Sequence, residues 1–230
     1  MKHLNIILGF VALAAIASSC AEKGVAEMDS SDFVSVAEVI PDVILEIRYY
    51  STYNFVGERI DGYGAPVALI TKEAAAALKN VSDSLKTMGY RLKIFDAYRP
   101  QTAVNHFIRW AENVQDTAMK KYFYPMVDKS RLFDEGYICA KSSHSRGSTV
   151  DLTLFDMNTE REVDMGATFD WFGDESHPDY TNLTEEQLNF RNILRGAMLH
   201  FGFNPMDTEW WHFTLADEPY PDTYFDFEIR

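Results

Sequence analysis

Two short stretches of the chain carry residue types that bind divalent metals. Residues 142–154 read SSHSRGSTVDLTL and place His144 seven residues before Asp151. Residues 209–212 read EWWH and add His212 as a further imidazole. A zinc hydrolase usually takes three protein ligands and leaves one coordination position for water. His144, Asp151 and His212 are therefore candidate zinc ligands.

The spacing of these residues constrains the backbone that holds them. In a regular strand, residues three apart point to opposite faces, so Glu209 and His212 reach one site only across a bend, a bulge or a turn. In the first stretch, Gly147 allows the chain to double back, so His144 and Asp151 need not share one strand face.

The charges of these groups indicate hydrolytic chemistry. Two neutral imidazoles and one carboxylate would leave a Zn²⁺ site with a net positive charge, which favours ionisation of water and polarises a carbonyl. Glu209 beside the metal could take the proton of that water and pass it to a departing amine. Arg99, within the sequence DAYRP, could supply the fixed cation that an oxyanion needs.

Each of these residues also has a purely structural interpretation. His144 could satisfy a turn, and Asp151 could be a cap or a surface charge. His212 lies among aromatic residues and could be a hydrogen-bonded core histidine, while Arg99 before Pro100 could begin a helix at the surface. Three further histidines are predicted to be structural or exposed: His106, His177 and His200.

The combination of motifs is more specific than any one of them. The motif SxHx₆D ending at Asp151, the motif ExxH ending at His212 and DAYRP together resemble the zinc D-alanyl-D-alanine dipeptidases of the VanX type, peptidase family M15, over about residues 42–213. The resemblance implies the α+β zinc fold shared by D,D-peptidases and the hedgehog signalling domain. It also implies one Zn²⁺ per chain and hydrolysis of the small dipeptide D-Ala-D-Ala to two D-alanines.

By position, the resemblance implies roles for eight residues. His144, Asp151 and His212 match the zinc ligands of the family. Glu209 matches its catalytic base, and Arg99 matches its transition-state cation. Three residues match the substrate pocket: Ser142, which lines it, Tyr49, which contacts the substrate, and Asp170, which holds the substrate's ammonium.

Two other functions remain open from the residues. A zinc D,D- or L,D-carboxypeptidase acting on peptidoglycan stem peptides would share the metal ligands and differ at the ammonium pocket. A non-catalytic, zinc-stabilised binding lipoprotein would use the same ligands for structure. Glu209 favours catalysis, because a structural metal site needs no base beside an open position.

The first twenty residues differ from the rest of the chain. Residues 1–19 combine a basic start, an apolar run and small residues, which is the pattern of a secretory signal. Cys20 follows them as the acylated cysteine of a bacterial lipobox does, although nearby cleavage with an incidental Cys20 is an alternative. Residues 20–32 are small and polar and are predicted to form a tether. We expect an exported protein of the bacterial periplasm or cell envelope that contacts the membrane only through its lipid anchor.

The bulk composition excludes one class of partner. A net charge of -14 and a pI of about 4.8 argue against nucleic-acid binding, which needs a basic surface. No stretch after the signal approaches the roughly 20 apolar residues of a membrane-spanning helix. Cys139, between apolar neighbours, is predicted to be a buried small hydrophobic residue.

The elements that must position these residues are predicted from periodicity and capping signals. Residues 33–230 are expected to form one α+β domain, with helices packed on a largely antiparallel sheet. Three helices are predicted: from Thr71 to about Met88, from Pro100 to about Val114, and from the capping box at 184–187 to about Phe201. Five strands are predicted, at residues 42–50, 90–95, 148–155, 210–215 and 224–229.

Overall fold

The computed structural model describes residues 30–230, and within this range the chain forms eight strands and five helices. The strands are β1 (Phe33–Ser35), β2 (Ile44–Leu45), β3 (Leu69–Thr71), β4 (Tyr90–Asp96), β5 (Thr149–Asp156), β6 (Arg161–Glu162), β7 (Phe203–Pro205) and β8 (His212–Leu215). The helices are α1 (Val36–Val39), α2 (Lys72–Lys86), α3 (Gln101–Glu112), α4 (Lys120–Phe123) and α5 (Glu185–His200).

The main sheet is largely antiparallel, as predicted. Its strand order is β2-β4-β5-β8-β7, with β6 paired to β5 at one side, and β2–β4 is its parallel pair. Strands β1 and β3 form a separate antiparallel pair. Helices α2 and α5 pack on the main sheet and on each other. The predicted α+β class is therefore confirmed.

The central strand β5 is buried over its first six residues, so it is covered on both faces. Its even-numbered residues are apolar, from Val150 to Leu154, and each is fully buried. The alternate side chains are polar and include Asp151. Because side chains alternate across a strand, the core residues fix the register that turns Asp151 to the opposite face.

The helix ends follow their local chemistry with one exception. At α5 the capping box forms, since Thr184 Oγ1 accepts from the Gln187 amide at 3.2 Å and Gln187 Oε1 accepts from the Thr184 amide at 2.9 Å. Thr71 occupies the N-cap position of α2, but its hydroxyl lies 2.7 Å from Ser148 Oγ and makes no cap bond. Helix α3 begins one residue after Pro100.

Two predicted strands were wrong. In the predicted strand 42–50, only Ile44–Leu45 pairs, and Arg48–Tyr50 forms a 3₁₀ helix that turns Tyr49 into the interior. In the predicted strand 224–229, the backbone bonds go to several different segments, so no ladder forms beyond an isolated bridge between Tyr63 and Ile229. The alternating aromatic residues of this tail pack into the core instead.

The predicted signal peptide, Cys20 and most of the predicted tether lie outside the described residues. The last three tether residues, Ser30–Asp32, form a 3₁₀ helix next to β1. Within residues 30–230, every helix is too short or too polar to cross a bilayer.

Candidate metal centre

The three predicted metal ligands meet at one buried point. His144 Nε2 lies 3.2 Å from Asp151 Oδ2 and 3.2 Å from His212 Nδ1, and His212 Nδ1 lies 3.1 Å from Asp151 Oδ1. One ligand atom from each residue lies within 4.8 Å of the other two. A set of two imidazoles and one carboxylate in this arrangement could hold a divalent metal ion.

Adjacent strands bring two of these ligands together. Asp151 on β5 is the register partner of His212 on β8, and on its other side it is paired with Asp96 on β4. A register irregularity between Ile94 and Asp96 lies at this point of the ladder. Three polar residues thus form one row across three strands, although they are 55 and 61 positions apart in the chain.

His144 comes from a 3₁₀ helix, Ser143–Arg146, immediately before β5. Ser142 Oγ caps this helix by accepting from the His144 amide at 3.3 Å. Gly147 ends it with a φ of +84°, and a Cβ there would meet the ring of Phe33 at 2.3 Å. The glycine is therefore required both for the left-handed turn and for the close approach of Phe33.

A turn precedes His212 where the sequence predicted a strand from residue 210. Residues 210 and 211 form the turn, and the His212 amide donates to the Glu209 carbonyl at 3.3 Å. Strand β8 begins at His212. The turn resolves the spacing problem of EWWH, since it lets Glu209 and His212 face one point.

Hydrogen bonds orient both imidazole rings. His144 Nδ1 lies 2.7 Å from the Ala97 carbonyl oxygen, which can only accept, so Nδ1 carries a proton and Nε2 faces the site. His212 Nε2 lies 3.1 Å from Ser143 Oγ, which leaves its Nδ1 facing the site. Such partners on the outer nitrogen fix the tautomer of a metal-binding histidine.

The electrostatics of the cluster fit a bound cation. Asp151 Oδ1 is buried and makes no hydrogen bond of good geometry to any described residue. Burial alone would lower the pKa of His212, but hydrogen bonds and charge from Asp151 and Glu209 raise it to about 9. Burial alone would raise the pKa of Asp151, yet the two histidines hold it below its usual value. The site therefore favours a positive charge among these groups, which a metal ion can supply in place of a proton.

Arg99 lies beside this cluster with its guanidinium fixed on several sides. Its Nε and Nη2 each lie 2.9 Å from Asp96 Oδ2, and Nη1 lies 3.5 Å from Ser142 Oγ. Nη2 is also 3.6 Å from Asp151 Oδ2. The guanidinium carbon sits 4.9 Å from the ring centre of Tyr49. These contacts hold a permanent cation next to the candidate metal position.

Asp96 is a site residue whose role the sequence did not reveal. It is fully buried, and Tyr63 donates to its Oδ1 at 2.6 Å while Arg99 occupies Oδ2. Burial raises the pKa of Asp96, and the charges of Arg99 and His144 oppose that shift. Asp96 is the first residue of the DAYRP motif, but no local spacing in the sequence indicated that Tyr63 would contact it.

Glu209 lies at the edge of the cluster and remains partly open to solvent. Its Oε2 is 3.4 Å from His212 Nδ1, and 35% of its side chain is exposed, against 2% for Asp151. A carboxylate with this access can exchange a proton with water at the metal position.

Tyr49 and Asp170 form the other end of the site. Tyr49 O–H lies 3.1 Å from Asp170 Oδ1 and 3.0 Å from Oδ2. Asp170 is buried and adopts a φ of +60°, an uncommon conformation that is concentrated at functional sites. Burial, with the nearby charge of Asp151, raises the pKa of Asp170 well above its usual value. Within residues 30–230, no cationic side chain lies at ion-pair distance from this buried carboxyl group.

All eight predicted site residues line one cleft, whose volume is about 750 Å³ including the space at its open mouth. Apolar side chains, among them Phe55, Phe107 and Phe172, form much of the remaining wall. The cleft also contains residues that the sequence analysis did not assign to the site, including Ser143 and Lys141. The structure thus brings the predicted set together and adds neighbours from distant parts of the chain.

Cys139 contradicts its predicted burial. It is exposed, whereas the adjacent Ile138 is 5% exposed. Both lie in an irregular segment at the rim of the cleft, where Ile138 takes the core-facing position. Of the remaining histidines, His106 is structural: its ring lies 3.1 Å from Glu58 Oε1 and accepts from the Asp61 amide. His200 is exposed and His177 is half-buried, and neither lines the cleft.

Comparisons with known proteins agree on one family. A profile described as D-ala-D-ala dipeptidase matches residues 29–230. The D-alanyl-D-alanine dipeptidase of Enterococcus faecalis is 39% identical over 197 residues, which cover 86% of this chain and 98% of that protein. The D-alanyl-D-alanine dipeptidase of Streptomyces coelicolor is 39% identical over 200 residues, covering 87% and 99%. A solved structure of the vancomycin resistance D,D-pentapeptidase VanY, an E175A mutant in complex with Zn(II), is 15% identical to this chain. The match covers 65% of this chain and 74% of that chain, with a TM-score of 0.39.

Proposed function

This chain belongs to the D-ala-D-ala dipeptidase family, peptidase M15, and on that premise we propose that it hydrolyses D-alanyl-D-alanine to two molecules of D-alanine. The observation that carries the proposal is the single cleft in which a metal-ligand cluster, a partly open carboxylate and a fixed guanidinium lie side by side. Metal-assisted peptide hydrolysis can use these three groups as Lewis-acid site, base and oxyanion stabiliser.

We propose that His144, Asp151 and His212 hold one Zn²⁺ per chain. Their donor set, their oriented rings and the close approach of the three ligand atoms support this assignment. When bound, the ion would supply a Lewis acid that lowers the pKa of water and polarises the scissile carbonyl.

Protein side chains supply the proton transfer and the stabilisation of negative charge. Glu209 takes a proton from the attacking water as the new C–O bond forms, and delivers it to the departing amine as the C–N bond breaks. Arg99 places its guanidinium where negative charge develops on the carbonyl oxygen. Because Asp96 already holds two of its nitrogens, the guanidinium needs little reorganisation during the reaction.

We propose that Asp170 and Tyr49 select a free dipeptide. A substrate ammonium would supply the cationic partner that the buried Asp170 lacks, while Tyr49 holds the carboxylate in place. An acyl group on that nitrogen would remove the charge and add bulk. The site should therefore reject N-acylated peptides, which separates it from a carboxypeptidase acting on peptidoglycan stems.

We further propose that the protein is exported and anchored through an acylated Cys20. The support is the sequence pattern of residues 1–20. In that location the enzyme would recover D-alanine from dipeptides released by cell-wall turnover. Recovery of the protein from the soluble cytoplasmic fraction, with Met1 intact, would contradict this part of the proposal.

The activity is tested by measuring D-alanine release from D-Ala-D-Ala and from N-acetyl-D-Ala-D-Ala by the zinc-loaded protein. We expect rapid release from the free dipeptide and at least about 100-fold slower release from the acetylated one, since a buried carboxylate would be left unpaired. Equal rates on the two would refute the selectivity. Activity on a muropeptide but not on the free dipeptide would identify a carboxypeptidase instead, and metal binding with no release from any substrate would indicate a binding lipoprotein.

A further inference from the structure

The cleft contains a cation that the proposed chemistry does not use. Besides the two histidines, the basic residues that line it are Arg99 and Lys141. Arg99 is committed to Asp96 and lies near Asp151, which leaves it as a fixed group beside the metal position. Lys141, in contrast, has no carboxylate partner among the described residues, and its ammonium group lies over the ring of Tyr224 at 4.5 Å from the ring centre.

The position of Lys141 relates it to the reacting centre. It directly precedes Ser142, whose hydroxyl lies 3.5 Å from Arg99 Nη1 and caps the helix that carries His144. Tyr224 belongs to the C-terminal tail, and the neighbouring Phe225 amide donates to the Ser145 carbonyl at 2.8 Å. The lysine and the ring beneath it are thus both attached to the segment that holds the metal ligand.

One charge of a free dipeptide, its C-terminal carboxylate, has no partner among the groups assigned so far. Such a substrate is a zwitterion with an ammonium at one end and a carboxylate at the other. Asp170 suits the ammonium, and Arg99 suits the oxyanion that develops between the ends. A substrate carboxylate that enters a partly apolar cleft also needs a cationic partner, because burying an unpaired charge is costly.

Resting on the proposed function, we propose that Lys141 binds the C-terminal carboxylate of the substrate. Lys141 lines the cleft, and the cation–π contact with Tyr224 holds its ammonium group without neutralising it, so the charge stays available for an anion. Lys141 is then a specificity-determining residue that makes a free C-terminus a requirement, as Asp170 does for a free N-terminus.

The test compares D-Ala-D-Ala with its C-terminal amide, D-alanyl-D-alaninamide, in the parent and in Lys141→Gln. We expect the parent to prefer the acid in kcat/KM by about 10-fold or more, as a charge-assisted hydrogen bond predicts. Lys141→Gln should lose that factor on the acid and change little on the amide, so the preference disappears. Lys141→Arg, which keeps the positive charge, should retain a preference for the acid.

Lys121→Gln is the matched control, because Lys121 is also an exposed lysine over a tyrosine ring, at 5.8 Å from Tyr122, but lies outside the cleft. It removes the same charge and should leave both substrates unaffected. An equal loss on acid and amide in Lys141→Gln, or no loss on either, would overturn the role of Lys141 while leaving the dipeptidase activity intact. If the zinc-loaded parent released no D-alanine from either substrate, the proposed function would fail and this inference with it.

Discussion

The two ends of the cleft are built from different kinds of structure. The metal end is held by neighbouring strands and the turns that enter them, and Asp96, His144 and Asp151 are all buried. The end proposed to bind the substrate's ammonium is held by irregular segments: Tyr49 lies in a 3₁₀ helix, while Asp170 lies in a loop. Backbone pairing within the sheet fixes Asp151 and His212 at the first end, whereas side-chain contacts hold Tyr49 and Asp170 at the second.

This difference suggests a division of labour. The reacting groups of a hydrolase must hold their positions to a fraction of an ångström, and the paired strands that carry Asp151 and His212 provide that precision for two of the proposed metal ligands. The groups proposed to recognise the substrate lie outside the sheet, and loops tolerate sequence change without disturbing the elements that they connect. Substitutions at the metal end should therefore reduce kcat, and substitutions at the substrate end should act mainly on substrate selection.

The largest effect is expected at Glu209. Replacing it by glutamine keeps the shape but removes the base, so kcat should fall by about 1000-fold. Zinc content, measured on the same sample, should be unchanged, because Glu209 is outside the ligand set. Glu73→Gln, at an exposed position on α2, is the matched control and should keep full activity. A zinc-loaded Glu209→Gln protein with near-normal kcat would remove Glu209 from the mechanism.

A somewhat smaller effect is expected at Arg99. Lysine keeps the charge but cannot bond Asp96 and Ser142 in the same fork, so Arg99→Lys should lower kcat by about 100-fold through lost oxyanion stabilisation. Arg109→Lys, in an exposed ion pair with Asp61, provides the control. If Arg99→Lys raised KM and left kcat unchanged, Arg99 would act in substrate binding rather than in the chemical step. The proposed difference between the two ends of the cleft would then be wrong.

The smallest effect on activity is expected at Asp170, where we also expect a gain in stability. Asp170→Asn removes the ammonium partner and should lower kcat/KM for D-Ala-D-Ala by about 10- to 100-fold. Because the pKa of Asp170 is raised, the folded protein binds more protons than the unfolded chain above the usual carboxyl pKa, and folding stability falls as pH rises through that window. Asp170→Asn has no ionisable group at this position and does not lose this stability. Its Tm at neutral pH should rise by about 2–4 °C, which corresponds to about 1 kcal/mol in the free energy of unfolding.

Thermal unfolding of the parent and of Asp170→Asn at pH 4 and pH 7 tests the direction of this stability change. The gain in Tm of the variant over the parent should be larger at pH 7. Asp222→Asn, at an exposed position of the C-terminal tail, serves as the control. A variant that is less stable than the parent at pH 7 would show that Asp170 is a structural residue rather than a strained binding group.

Much of the fold followed from local signals. The capping box of α5, the ends of α2 and the strands β4 and β5 were all predicted near their observed bounds, because caps and alternation depend on residues close in sequence. The strands predicted at 42–50 and 224–229 were wrong for a common reason. Both segments have β-forming residues, but their backbones bond to several segments rather than to one partner, and only tertiary packing decides that.

For the candidate site, the sequence by itself determined the residue types and their motifs. The eight predicted residues all line the cleft, and five of them lie within 142–154 and 209–212, where motif spacing encodes the local turns that orient them. Tertiary structure alone decided which distant groups complete the site. The row from Asp96 through Asp151 to His212 depends on strand register, and register is set by the packing of the buried face. Likewise, only tertiary packing brings Tyr63 to Asp96 and places Lys141 over Tyr224, because these residues are far apart in the chain and their spacing does not indicate a contact. Tertiary packing also leaves Cys139 exposed.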